Sequence, residues 1–324
     1  MDNSSFIKSP ISNELEAFRK LFETALSSSN LLLNSVVAHI LQKNGKMMRP
    51  ILVLLSAKLY GEVCPATLHA AAALELLHTA SLVHDDVVDE STERRGQLSV
   101  NAIFNNKVAV LSGDFMLATA LMEVTKTGHL GIIDIVSSLG RELADGELLQ
   151  LSNISNPHFS EEIYFDVIRK KTAVLFAACT RAGALSAGAD AEKVELARLF
   201  GEYIGLCFQI KDDIFDYFES KEIGKPTGND MLEGKLTLPV LHVLNTVSDE
   251  AMRQIAVRVK NGEATQGEIT RLIAFAKQQG GIEYASQTMY GYKEKALSLL
   301  AAMPDTDVKA ALAAYLDYVV ERAK

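Results

Sequence analysis

Asp85, Asp86 and Asp89 stand in the run His84-Asp85-Asp86-Val87-Val88-Asp89-Glu90, and Asp212-Asp213-Ile214-Phe215-Asp216 repeats the DDxxD spacing much later. On a helix the outer aspartates of such a motif lie four apart on one face, where their repulsion costs a few tenths of a kcal/mol. At a helix C-terminus the negative dipole end adds about 0.3–1 kcal/mol. One such cluster reads as a solvated acidic helix end. Two, each closing a strongly apolar segment, call for a cation. Carboxylate oxygens suit hard cations, and Mg²⁺ uses one or two of them, keeps several waters and fills its shell with phosphate oxygens. The two clusters are therefore expected to face one another as a metal clamp on a diphosphate. The Gly-bearing loop of an EF-hand, which would favour calcium, is absent.

Basic residues recur beside the acidic ones. Arg94-Arg95-Gly96 follows the first motif, Gly45-Lys46-Met47-Met48-Arg49-Pro50 is expected to open a helix, and Lys171-Thr172 lies in an apolar helical stretch. Each alone reads as surface charge. Lys225 and Lys235 belong to a Gly-rich segment, 224–235, expected to close on phosphate as a lid; it lacks the GxxxxGK[ST] pattern of a Walker loop. His78 precedes Asp85 by seven residues on the same apolar stretch and, by itself, reads as a core histidine.

The elements that must position these residues are helices. Apolar residues recur at spacings of three and four, with little strict alternation, so the fold class is all-α. From Asp190 to Glu219 the periodicity holds for about eight turns, and 70–88 is apolar nearly all round, the mark of a buried helix. Gly and Pro divide the chain into roughly a dozen helices, and with no linker or change in composition it reads as one domain, 1–324, with residues 1–10 as a flexible tail.

The 324 residues, 48% hydrophobic and 23% charged, describe a globular chain able to bury a large core. A net charge of −9 argues against nucleic acid as a partner. The motifs account for six of those negative charges, so much of the acidity is the demand for Mg²⁺. Cys64, Cys179 and Cys207 are far apart, which argues against zinc and a disulfide framework and fits a reducing cytoplasm. No signal peptide is evident, and no unbroken apolar run reaches the roughly 20 residues of a membrane anchor.

Taken together, DDVVDESTERRG, FQIKDDIFDY, GKMMRP, Lys171-Thr172 and GKPTGND…GKLTLP resemble the trans-isoprenyl (polyprenyl) diphosphate synthases, and most closely the bacterial long-chain, octaprenyl-forming members. The resemblance runs from about Gly45 to Pro239 and extends over the rest of the chain. It implies an isoprenoid synthase fold with a deep central cavity, a homodimer, and Mg²⁺, three ions per active site. It implies Asp85, Asp89 and Asp212 as metal ligands, with Asp86, Asp213 and Asp216 supporting them. Arg94, Lys171, Lys225 and Lys235 would contact the allylic diphosphate, with Thr172 and Gln209 beside the reacting carbons. Lys46, Arg49, His78 and Arg95 would hold isopentenyl diphosphate, which displaces the core reading of His78. Met47-Met48 departs from the pattern, since many relatives carry a further basic residue there.

The implied reaction is chain elongation by ionisation, condensation and elimination. Ala80 and Ser81, five and four residues before Asp85, are small where short-chain relatives carry aromatic blocks, so the product is expected at C35–C45, with C40 favoured. The channel floor falls at Leu77, Leu76 or the helix holding Leu117, Leu121, Met122 and Val124. A long lipid product implies transient membrane contact on release. The alternatives are a geranylgeranyl or other short-chain synthase, a class I terpene cyclase, disfavoured by the second DDxxD, and a noncatalytic helical subunit, disfavoured because every metal position is filled.

Overall fold

The segment Pro65–Val88 has no polar face, so only burial on all sides can stabilise it as a helix. The computed structural model, which describes residues 3–42, 47–94, 96–154, 158–218 and 227–322, buries most of its middle, 70–80, and leaves its ends at Pro65 and Val88 exposed. In chain order the helices are α1 (Asn3–Lys8), α2 (Ser12–Ala25), α3 (Leu31–Gln42), α4 (Met48–Tyr60), α5 (Pro65–Val88), α6 (Val100–Phe104), α7 (Asn106–Lys126) and α8 (Leu130–Ile154). There follow α9 (Glu161–Ile168), α10 (Val174–Ser186), α11 (Ala191–Asp216), α12 (Asn229–Leu232), α13 (Leu238–Thr246), α14 (Glu250–Lys260), α15 (Gln266–Gln278), α16 (Gly281–Ala302) and α17 (Asp307–Glu321). The count exceeds a dozen because one-turn and two-turn pieces such as α1, α6, α9 and α12 are too short to show a period.

The chain forms two compact units interleaved in sequence. The first comprises Met1–Gly140, Leu175–Gly201 and Ala302–Ala314; the second comprises Arg141–Val174, Glu202–Ala301 and Tyr315–Lys324. In the first, α5 packs against α2, α4 and α7. Leu74 and Leu76 of α5 and Ile51 to Leu55 of α4 are fully buried, each large side chain contributing about 1.5–3 kcal/mol. In the second, α13, α14 and α15 close over Tyr217 and Met231 through Val240, Leu244, Ile255 and Leu272.

Local chemistry sets the helix ends. Pro65 occupies the first turn of α5, and the Thr67 hydroxyl accepts from the Cys64 amide at 3.2 Å. Glu90, at φ +52°, turns the chain left-handed and stops α5 directly after its aspartates. The periodic stretch 190–219 contains the 26-residue α11, Ala191–Asp216, about 39 Å long.

Three expectations change. The polar start is not a tail over its described residues: Asn3–Lys8 are helical, Ser9–Ile11 continue as a 3₁₀ turn, and buried Ile7 and Ile11 pin both down. Arg94 lies on a two-residue strand, Glu93–Arg94, paired with Gln97–Leu98, too short for alternation to show. Both α5 and α7 are long and apolar enough to cross a membrane by length and composition, although no unbroken apolar run announces them. They pack on each other, and most of the α5 stretch is buried.

Candidate active site

In the first unit, α5 delivers the first motif at its C-terminal end. Asp86 is buried, and the Arg94 side chain, returned by the hairpin, donates from Nε to its Oδ1 at 2.6 Å. Asp85 and Asp89 are only partly buried. The middle aspartate is thus spent on the scaffold, and Arg94, expected on the allylic diphosphate, braces it. His78, Asp86 and Arg94 line one cavity with Met47, Glu75 and Leu82. Arg49 lies outside that lining: its guanidinium rests 5.5 Å from the Phe176 ring centroid, and among the described residues its buried Nε meets no hydrogen-bond partner, as befits an anion ligand. Met47 is left-handed at φ +49°, a strained conformation for a residue with a Cβ, of the kind found at functional sites. Lys46 and Arg95 lie outside the described residues.

Ala80, Ser81 and Leu77 are expected to govern chain length, and of the further floor residues expected on α7, Leu121 and Met122 are exposed and so form no enclosed floor. Ser81 is partly exposed, and its hydroxyl donates to the His78 carbonyl at 2.9 Å, so the polar end is turned back onto the helix. Ala80 is fully buried and Leu77 nearly so.

The second unit repeats the division of labour. The Asp213 carboxylate is buried, accepting from the Tyr164 hydroxyl at 2.6 Å and from Gln209 Nε2 at 2.8 Å. Gln209 Oε1 in turn accepts from the Thr172 hydroxyl at 2.6 Å, which fixes the orientation of the amide. Burial, reinforced by Asp212 and Asp216, pushes the Asp213 carboxyl up to about 7 against the two hydrogen bonds. Asp216 caps α12, accepting from the backbone amides of Asn229 and Asp230 at 3.1 Å each, and so anchors the Gly-rich segment. Asp212, the more exposed member, meets Arg322 Nη2 at 2.6 Å, and that guanidinium stacks 3.9 Å over the Phe208 ring.

Lys171, Thr172, Gln209, Asp213 and Lys235 line a cavity of about 210 Å³; Asp212 and Asp216 do not. Lys171 and Thr172 occupy a π-helical turn, Arg169–Ala173, an irregularity frequent at functional sites and without a periodic signature. Lys171 pairs with Glu147 at 2.6 Å and Lys235 with Glu233 at 2.6 Å. Lys225 lies outside the described residues.

Sequence reasoning missed Glu147, Tyr164, Asp230 and Arg322. Asp230 lines the cavity, and burial with the nearby Asp213 and Asp216 charges pushes its carboxyl well above the ordinary range. It falls within the Gly-rich segment, where its position beside the lysines is a signal; the others are single polar residues, Glu147 and Tyr164 on helices and Arg322 just past the end of α17, with no local signal. Among the described residues no three His, Cys, Asp or Glu side chains gather closely enough to hold a metal unaided. Partly exposed, acceptor-only carboxylates nevertheless fit Mg²⁺, which takes most of its shell from water and phosphate.

Residues 30–276 match the family model described as "Polyprenyl synthetase". The chain belongs to the polyprenyl synthetase family. It is 35% identical to the octaprenyl diphosphate synthase of Escherichia coli, over 92% of each chain. Among solved structures it is similar to a decaprenyl diphosphate synthase from Rhodobacter capsulatus, at TM-score 0.92 and 36% identity, over 99% of each chain. It is also similar to a geranylgeranyl pyrophosphate synthase from Bacteroides thetaiotaomicron, at TM-score 0.89 and 62% identity, over 99% of this chain and 100% of that one. The all-α fold is that of the isoprenyl synthases, and the enzyme is a chain-elongating prenyltransferase acting on small diphosphates.

Proposed function

We propose that this synthase condenses isopentenyl diphosphate with an allylic diphosphate such as farnesyl diphosphate, repeatedly, to an all-trans product of C35–C45 centred on C40. One observation carries the assignment of residues: in both DDxxD motifs the second aspartate is buried and held by internal donors, while the first stays partly exposed. Asp85 and Asp89, and Asp212 of the second motif, are the proposed Mg²⁺ ligands. When bound, Mg²⁺ neutralises charge on the diphosphate as it leaves.

The protein's own residues supply the rest. Lys171, Lys235 and Lys225 offer cations to the departing diphosphate, so that the allylic C–O bond ionises to a delocalised cation. Gln209 and Thr172, locked to one another, present oxygen dipoles that stabilise that cation. Arg49 and His78, with Lys46 and Arg95, hold isopentenyl diphosphate, whose double bond attacks to form the new C–C bond. The proton then lost to restore an alkene passes to the released diphosphate. The Gly-rich segment keeps water from the cation.

The octaprenyl-forming relative and the small residues Ala80 and Ser81 support the C40 reading. A C20 product is a second reading, favoured by the 62% identity to the geranylgeranyl pyrophosphate synthase from Bacteroides thetaiotaomicron. A homodimer is proposed as well, supported by the exposed apolar side chains Val110, Leu111, Leu121 and Met122 along α7. The cysteines, all free, support a reducing, cytoplasmic location. Incubation with farnesyl diphosphate, labelled isopentenyl diphosphate and Mg²⁺, followed by reversed-phase chromatography, tests the proposal. A C35–C45 ladder sustains it, a C20 end point selects the second reading, and no elongation refutes both.

A further inference from the structure

Most glycines inside the helices are there for close packing. A Cβ added at Gly113 would lie 2.1 Å from the His84 ring, at Gly183 2.3 Å from the Val53 carbonyl, at Gly201 2.3 Å from the Thr180 hydroxyl and at Gly281 2.3 Å from the Pro239 carbonyl. A Cβ added at Gly267 or Gly291 would meet nothing within 4 Å among the described residues beyond their own helices. Gly140 differs from both sets. A Cβ there would meet Leu77 Cδ1 at 3.7 Å, an ordinary van der Waals separation, and nothing else within 4 Å among the described residues. Packing therefore does not explain a glycine in the middle of the 25-residue α8, where glycine is among the least favourable residues.

What Gly140 does is set the α8 backbone beside Leu77 with room for a Cβ and no side chain to fill it. That leucine is 6% exposed and lies one turn below Ser81 and eight residues, about 12 Å, below Asp85 along α5. Ser81 turns its hydroxyl back onto the helix, so the wall above this point is apolar. We propose that Gly140 is a specificity-determining residue: with Leu77 it frames a constriction in the path of the growing hydrocarbon, and its missing side chain sets the width. The inference rests on the prenyl-elongating reading. Each C5 unit adds four chain bonds of about 1.5 Å, or about 5 Å when extended, so the constriction lies two to three units below the reacting end. A large side chain at 140 would stop the chain there.

The test compares the product ladders of wild type, Gly140→Leu and Gly140→Phe, using geranyl diphosphate, labelled isopentenyl diphosphate and Mg²⁺. The dominant product is expected to shorten by at least one C5 unit with Phe and by no more than that with Leu. Adding Leu77→Ala to Gly140→Phe should return C5 units to the product. Thermal unfolding of Gly140→Ala gives a readout without turnover: its midpoint should rise, because the helix gains and no neighbour is struck. A folded Gly140→Phe chain with the wild-type ladder overturns the inference, as does a lowered midpoint for Gly140→Ala, which would make this one more packing glycine. If Gly140→Phe fails to fold, the Leu ladder and the Ala midpoint decide. Failure of the wild type to elongate refutes the prenyl-elongating reading instead, and is seen before any variant is compared.

Discussion

Replacing Tyr164 with phenylalanine removes one hydroxyl and little volume, and it removes the shorter of two hydrogen bonds to a buried carboxylate, 2.6 Å against 2.8 Å from Gln209. Asp213 is 3% exposed, and a replacing water could enter only from the cavity that Asp213 and Tyr164 both line, so the costs below are upper values. A hydrogen bond to a charged group contributes about 1.5–3 kcal/mol and one to a neutral group about 0.5–1.5 kcal/mol. The cost of Tyr164→Phe must therefore depend on pH. Burial raises Asp213 from an ordinary 3.8 to about 7, so its carboxyl is protonated in the fold at pH 5 and ionised at pH 9. A group with a raised value contributes stability that is full below its unfolded pKa and lost as the pH climbs through the folded one. Tyr164 opposes that loss, because it binds the ionised form more strongly. The variant should thus lose about 1.5–3 kcal/mol at pH 9 and about half that or less at pH 5. In a large domain each kcal/mol lowers the melting temperature by about 2–4 °C. Thermal unfolding followed by circular dichroism, at both pH values and with chelator present, measures the difference. Equal melting temperatures for the two proteins at pH 9, or a larger loss at pH 5, would refute the assignment of Asp213 as a buried carboxylate held ionised by Tyr164.

Three further outcomes are expected. Asp85→Ala or Asp212→Ala should cut turnover by orders of magnitude with an unchanged helical signal, and near-normal rates in either would defeat the proposed metal ligands. Arg94→Gln takes the cation from buried Asp86 and should cost about 1–3 kcal/mol, discounted because Arg94 is a third exposed. Adding Asp86→Asn should recover part of that loss in denaturant unfolding; no recovery would mean that Arg94 does not act through Asp86. Ser81→Phe should shorten the product to roughly C15–C20, one turn below Asp85, and an unaltered ladder would remove α5 from the channel wall.

The helical fold was legible because burial imposes a period: 70–88 and 190–219 could be read as helices from their apolar positions alone. The two DDxxD motifs were legible for a related reason, since carboxylates clustered at an unfavourable helix end are a local anomaly. What could not be read is the fate of each carboxylate. Asp85 and Asp86 are adjacent and chemically identical in sequence, yet one is partly exposed and the other buried against Arg94. Asp216, equivalent to Asp89 by spacing, caps α12 through amides thirteen and fourteen residues away. Tyr164 and Glu147 from other helices, and Arg322 from just past the end of α17, reach the second motif and its neighbours, and Gly140 faces Leu77 across more than sixty residues of chain. Sequence by itself determined the helices, the acidic motifs and the chemistry they invite, because those depend on residue type and short spacing. Tertiary structure alone decided which aspartates are spent on the scaffold, which donors hold them and where a missing side chain leaves room, because burial and hydrogen bonding join residues distant in sequence.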